Sequence, residues 1–219
     1  LAGSIAQLDS ARLSLDGDRG SVMHLRVSGK DLMRWPVKEM DLDLDAFTLG
    51  TGLRQLMQAQ LPPGSIGPQR IEAAAHVHLS DGQLQARLDM DSDVGSVKGT
   101  ATATGLAKSI PDNLTADLVI SGLDVQRFTG DTTIGKVSLN LTAMAKDLNR
   151  ASRSGTLELK PTELRFNGQD LSSLELTGTV RGDSVFVDAS TGAKAVKMEL
   201  NARGKWPVAK DSLALAFQM

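Results

Sequence analysis

The sequence predicts an all-β fold, an antiparallel-rich meander carrying one short amphipathic helix, and three observations lead there. Apolar and polar residues alternate with a period of two along most of the chain, as in Val137, Leu139, Leu141 and Ala143 set between Lys136, Ser138, Asn140 and Thr142. Turns rich in Gly, Asp, Asn and Ser separate these segments. One segment alone, 51–61, carries helical spacing instead. Because successive strand side chains point to opposite faces, each alternating segment has one apolar face and one polar face.

The elements follow in order. Met23, Leu25 and Val27 share a face of one strand, and Met40, Leu42, Leu44 and Ala46 share a face of the next. Leu53, Leu56, Met57 and Leu61 then recur at helical spacing until Leu61-Pro62-Pro63-Gly64 stops the run. This helix is expected to pack over one end of the sheet and shield apolar side chains; a gate over a ligand groove is the other reading. The Pro/Gly loop at 62–68 divides the chain into candidate sub-units 1–61 and 69–219 of a single elongated β-repeat unit. Ile71, Ala73, Ala75, Val77 and Leu79 lead through the hairpin signal Ser80-Asp81-Gly82 to Leu84, Ala86, Leu88 and Met90. Further strands carry Leu114, Ala116, Leu118 and Ile120, then Leu174, Leu176 and Val180, then Val196, Met198, Leu200 and Ala202. Roughly fifteen strands are expected by this reading. Gly29-Lys30 leading through Trp35-Pro36-Val37 is echoed by Gly204-Lys205 leading through Trp206-Pro207-Val208, which points to one supersecondary unit used twice.

Composition excludes several classes of function. With 219 residues, 41% hydrophobic and 23% charged, the chain has the make-up of a folded protein. A formal net charge of -2 supplies no basic field for a phosphate backbone, so nucleic acid is not an expected partner. Cysteine is absent, which removes disulfides and thiolate metal sites. Aromatic residues total only 3%, with no Tyr, so the inner face must be aliphatic and the aromatic girdles of an outer-membrane barrel cannot be built. No apolar run reaches the roughly 20 residues of a membrane-spanning helix. Beginning at Leu1 and ending inside an alternating segment with Leu213, Leu215 and Phe217, the chain is expected to be cut from a longer protein.

No residue cluster announces a reaction. His76 and His78 share a strand face, but two ligands are too few for a zinc site, and a solvated outer surface is expected for them. Asp41, Asp43 and Asp45 also share a face, without the loop geometry that gathers oxygens around calcium. Arg181-Gly182-Asp183 spells an adhesion tripeptide, yet Gly-Asp is what a hairpin turn needs there. The glycine-rich and nucleophile-elbow signatures of nucleotide-binding proteins and hydrolases are missing. A non-enzymatic protein with no cofactor and no metal is expected.

The stretch 123–131, Leu-Asp-Val-Gln-Arg-Phe-Thr-Gly-Asp, followed by 134–143, Ile-Gly-Lys-Val-Ser-Leu-Asn-Leu-Thr-Ala, and by Lys146-Asp147-Leu148, resembles a repeat from the TamB branch of the AsmA-like superfamily. Leu157-Glu158-Leu159 and the run 166–171 leading to Leu174-Glu175-Leu176-Thr177-Gly178 continue the likeness, which is closest over residues 110–204. The resemblance implies an elongated, curled sheet, a β-taco whose interior is an apolar groove. It implies a periplasmic segment whose parent is anchored in the inner membrane by a helix absent here. The implied role is movement of phospholipid between membranes and outer-membrane assembly, with an outer-membrane barrel as partner through other parts of the parent.

The residues themselves agree with a groove that shields phospholipid acyl chains. Its candidate wall is Leu114, Leu118, Ile120, Val137, Leu139, Leu141, Leu174, Leu176, Val180, Val196, Met198 and Leu200, with the smaller Ala116. Alternation does not choose between this groove and a closed, sandwich-like structural or protein-interaction module, because both cover the same residues. End-to-end self-association of the chain through open strand edges is also expected.

Overall fold

The computed structural model describes residues 10–16, 22–30, 39–62, 64–106, 110–192, 198–205 and 216–218. The protein is all-β, and its strands form one antiparallel sheet that fits the elongated, curled architecture expected. In chain order the strands are β1 (Ser10–Asp16), β2 (Val22–Lys30), β3 (Glu39–Thr48), β4 (Ile71–Ser80), β5 (Gln83–Ser92), β6 (Gly95–Thr104) and β7 (Asn113–Asp124). They continue as β8 (Ile134–Lys146), β9 (Ser154–Phe166), β10 (Gln169–Asp170), β11 (Leu174–Arg181), β12 (Ser184–Thr191), β13 (Met198–Lys205) and β14 (Ala216–Gln218). Each strand pairs with its neighbours in sequence, except that β10 folds back on β9 alone and β9 goes on to pair with β11. Thirteen strands in one row, at about 4.8 Å spacing, make the sheet about 58 Å long across its strands. The described strands form one hydrogen-bonded sheet.

Helix α1 (Thr51–Gln60) joins β3 to β4, where helical spacing places it. Its described ties run to the loop that follows: Gln58 donates to the Ser65 carbonyl at 2.7 Å and accepts from the Gly67 N–H at 2.9 Å, and Arg54 donates to Gln69 at 3.0 Å. A second helix, α2 (Val125–Thr129), lies within the stretch that resembles a family repeat, where the sequence reading places no helix. Its termini explain it. Asp124 caps the N-terminus by accepting from the Arg127 N–H, and Gly130 closes the C-terminus in the left-handed conformation at φ 71°.

Both helices and the β5–β6 turn lie at the same end of the sheet, where Asp93 ties them together. One Asp93 carboxylate oxygen accepts from the Gln69 and Arg70 N–H groups at 2.8 and 3.0 Å, and the other pairs with the Arg127 guanidinium at 3.0 Å. Leu49, Pro68 and Val94 are buried at this end. At the opposite end, neighbouring turns are linked by Leu106 N–H to Gly82 carbonyl, Leu148 N–H to Asp112 carbonyl and Gly182 N–H to Arg153 carbonyl bonds. The hairpin foreseen at Asp81-Gly82 is present, with positive φ at both residues. The two Trp-Pro segments, 31–38 and 206–215, lie outside the described residues.

Bulges adjust the alternation. In β3 an extra residue falls between Leu44 and Phe47, so Phe47 joins the row of Met23 and Ala73 while Ala46 pairs with His24. This corrects the expectation that Ala46 continues the apolar face of Leu44. A second bulge in β7, between Ile120 and Leu123, sits against Gly95 of β6. Gly95 has φ +127°, and a Cβ there would fall 2.5 Å from the Leu123 Cα. Gly95→Ala is therefore expected to destabilise the protein by about 1–3 kcal/mol in urea unfolding. Gly192→Ala, with nothing within 4 Å of the added atom, should stay within about 0.5 kcal/mol of wild type.

Burial opposes the charge on Asp93, but the hydrogen bonds from Arg70, Gln69 and Arg127 outweigh it and hold the carboxyl below the usual aspartate range. Because the folded value lies below the unfolded one, this contribution is complete above the unfolded pKa and lost as pH falls through the folded value. Asp93→Asn should cost about 1–3 kcal/mol at neutral pH. The difference from wild type should shrink on acidification below the aspartate range, measured by urea unfolding at several pH values.

Candidate functional site

Register turns separate strands into continuous rows. Residues directly opposite across an antiparallel pair share a face, so each row can be followed from strand to strand. One runs Leu13, Leu25, Leu44, Ala75, Leu88 and Gly99 across β1 to β6, and continues as Leu118, Leu141, Leu159, Leu176, Ala189 and Leu200 across β7 to β13. The next row on the same face runs Ala11, Val27, Leu42, Val77, Ala86 and Ala101, then Ala116, Ala143, Leu157, Gly178, Val187, Ala202 and Phe217. No charged residue enters either row. On the other face the intervening row is polar throughout, from Arg12, Arg26, Asp43, His76, Arg87 and Thr100 to Asp117, Thr142, Glu158, Thr177, Asp188, Asn201 and Gln218.

The candidate wall residues occupy this apolar face. Leu118 pairs with Leu141 and Ile120 with Leu139; Leu114 lies between Ala103 and Ala145; Leu176 lies between Leu159 and Ala189. Val180 stands between Gly155 and Val185, and Val137 between Leu123 and Leu164. Leu174 and Met198 both pair with Thr191, and Leu200 pairs with Ala189. Val196 lies outside the described residues. Leu118 and Leu157 lean over Gly99 and Gly178, where a Cβ would stand 2.9 and 3.5 Å from the leucine side chains. Glycines there let neighbouring leucines fill the row without overpacking it.

Most of the face is only half-buried. Leu79, Ala103, Pro161, Ala189 and Ala202 are its buried apolar members among the described residues, whereas Leu88 and Leu157 remain 38% and 37% exposed. The residues missed by sequence reading are Leu157 and Leu159 of β9, Ala189 of β12, and Leu25, Leu44 and Leu88, which extend the same rows beyond the candidate wall. Their alternation was visible; the register that aligns them is a property of pairing.

The polar face holds the titratable side chains singled out by sequence. His76 Nδ1 contacts an Asp43 carboxylate oxygen and His78 Nδ1 lies 2.5 Å from Asp41, each pair directly opposite in the β3–β4 register. Both imidazoles are substantially exposed. These are cross-strand pairs on a solvated surface, and no group of three metal-ligating side chains occurs among the described residues. Two open depressions of about 370 and 400 Å³ flank Ala74. One is edged by Glu72, Asp89 and Asp91, the other by Asp43, Asp45, His76 and Arg87. Arg70 pairs with Glu72 and Asp91, and Lys98 with Asp89, so much of this acidity is internally matched.

Comparison with family models, characterised proteins and solved structures finds no match for this chain. A double-mutant cycle on Asp41→Asn and His78→Ala is expected to give a coupling of about 0.2–1 kcal/mol, the range of exposed cross-strand pairs. The measurement is urea unfolding of wild type, the two single variants and the double variant.

Proposed function

We propose that this chain is a non-enzymatic segment of a periplasmic lipid conduit, whose apolar sheet face shields phospholipid acyl chains on their way between two membranes. The observation that carries the reading is the pair of uncharged rows running without interruption across the sheet. Half-burial of large aliphatic side chains on that face supports it, as does the resemblance of residues 110–204 to the TamB branch. The energetics are adequate. Each methylene taken from water contributes about 0.8 kcal/mol, so some ten carbons of an acyl chain would be held by several kcal/mol. With no charge in the rows, the face grips hydrocarbon and leaves the headgroup unselected, which lets a chain slide along it.

In this reading, the contribution to outer-membrane assembly and contact with a barrel partner belong to parts of the parent protein outside this chain. Copies of the chain itself would associate end to end through strand edges. Light scattering at high concentration tests that association, and a strict monomer would contradict it.

Native mass spectrometry of freshly purified protein tests the conduit. Wild type should carry phospholipid, and Leu139→Asp and Leu176→Asp, if folded by circular dichroism, should lose it. Lipid-free wild-type protein from a lipid-rich preparation would contradict the proposal.

A further inference from the structure

We propose that the Asn167-Gly168 turn is a site of spontaneous covalent conversion, at which the asparagine amide is lost and the residue becomes aspartate or isoaspartate. The turn joins β9 to β10 in two residues, both exposed, with φ +49° at Asn167 and +75° at Gly168. A Cβ added to Gly168 would meet nothing within 4 Å outside its chain neighbours, so the turn stands clear of the rest of the protein on that side, and glycine puts no side chain beside its nitrogen. In the reaction the Gly168 nitrogen attacks the Asn167 side-chain carbonyl carbon. A new C–N bond forms, the bond to Nδ2 breaks, and ammonia leaves carrying the proton lost by Gly168. Water then opens the resulting five-membered imide. Opening at the side-chain carbonyl gives aspartate in a normal backbone; opening at the main-chain carbonyl gives isoaspartate, with the backbone running through the side-chain carbon.

The other four asparagines are placed differently. Asn113, Asn140 and Asn201 lie within strands and Asn149 precedes Arg150, so each is followed by a residue with a side chain. Asn113 donates to Thr104 at 2.8 Å, and Asn149 donates to the Ile110 carbonyl at 2.6 Å and to Asp112 at 3.0 Å. Asp81-Gly82 has nearly the same backbone, but it has no side-chain amide to lose.

The consequence is local. The Asn167 N–H donates to the Thr133 carbonyl at 2.6 Å, and the Leu171 N–H closes the following loop onto Leu164 at 2.8 Å. An isoaspartate adds an atom to a two-residue turn held at both points, so β10 loosens. The long pairings of β9 with β8 and β11 lie outside the turn and persist.

Peptide mapping by mass spectrometry after prolonged incubation of the folded chain at mildly alkaline pH tests this, beside a synthetic peptide of residues 163–172. The expected result is loss of the amide at Asn167 with the other four asparagines intact, and no loss at that position in Asn167→Gln. Retention of the Asn167 amide throughout the interval in which the peptide loses its own would overturn the proposal. Loss spread evenly over the five asparagines would do the same.

Discussion

Cross-strand register is the constraint on which the rest of this protein depends. A period of two makes every strand two-faced, but only pairing in the correct phase turns thirteen separate apolar edges into one surface. A slip of one residue between two strands would put apolar side chains opposite polar ones and break both the apolar rows and the polar row between them. The bulges show how closely the phase is kept. Where an extra residue enters β3, β7 or β9, the apolar alternation changes parity at the same place, from Leu44 to Phe47, from Ile120 to Leu123 and from Pro161 to Leu164. Sequence and pairing shift together, so the face continues through each irregularity.

A single layer of this kind divides its stabilising interactions unusually. Along the face, cross-strand aliphatic pairs contribute about 0.2–1 kcal/mol each, repeated from strand to strand. The deeper burial at the strand ends belongs to residues such as Leu49, Pro68, Val94 and Leu148. There the Asp93 cluster gathers three connections at one end, and the bonds between successive turns join the other. The sheet is thus tied at its ends and half-buried along its middle.

Much of this was legible in the residues. The strands, the helix over 51–61 and the Asp81-Gly82 hairpin follow from periodicity and turn chemistry, which act locally. The short helix α2 was not anticipated, although Asp124 and Gly130 supply its caps, because five residues are too few to carry a helical period. Ala46 was placed on the apolar face because a bulge leaves no sign until the pairing is known. The candidate wall began at β7 for a related reason: Leu25, Leu44 and Leu88 alternate as clearly as Leu141, but nothing short of the register puts them in its row. The pairing of Asp41 with His78 and Asp43 with His76 is likewise a product of register, joining residues more than thirty positions apart.

Two neighbouring residues test the central claim most directly, because Leu141 and Thr142 lie side by side on opposite faces of β8 and the chain has no cysteine of its own. Leu141→Cys and Thr142→Cys, each labelled with a polarity-sensitive fluorophore, should respond differently when a short-chain phospholipid is added below its micelle concentration. Emission from position 141 should shift to the blue while position 142 stays unchanged. A label at 141 that is already fully shielded and indifferent to lipid, or equal shifts at both positions, would contradict an apolar face open to a guest.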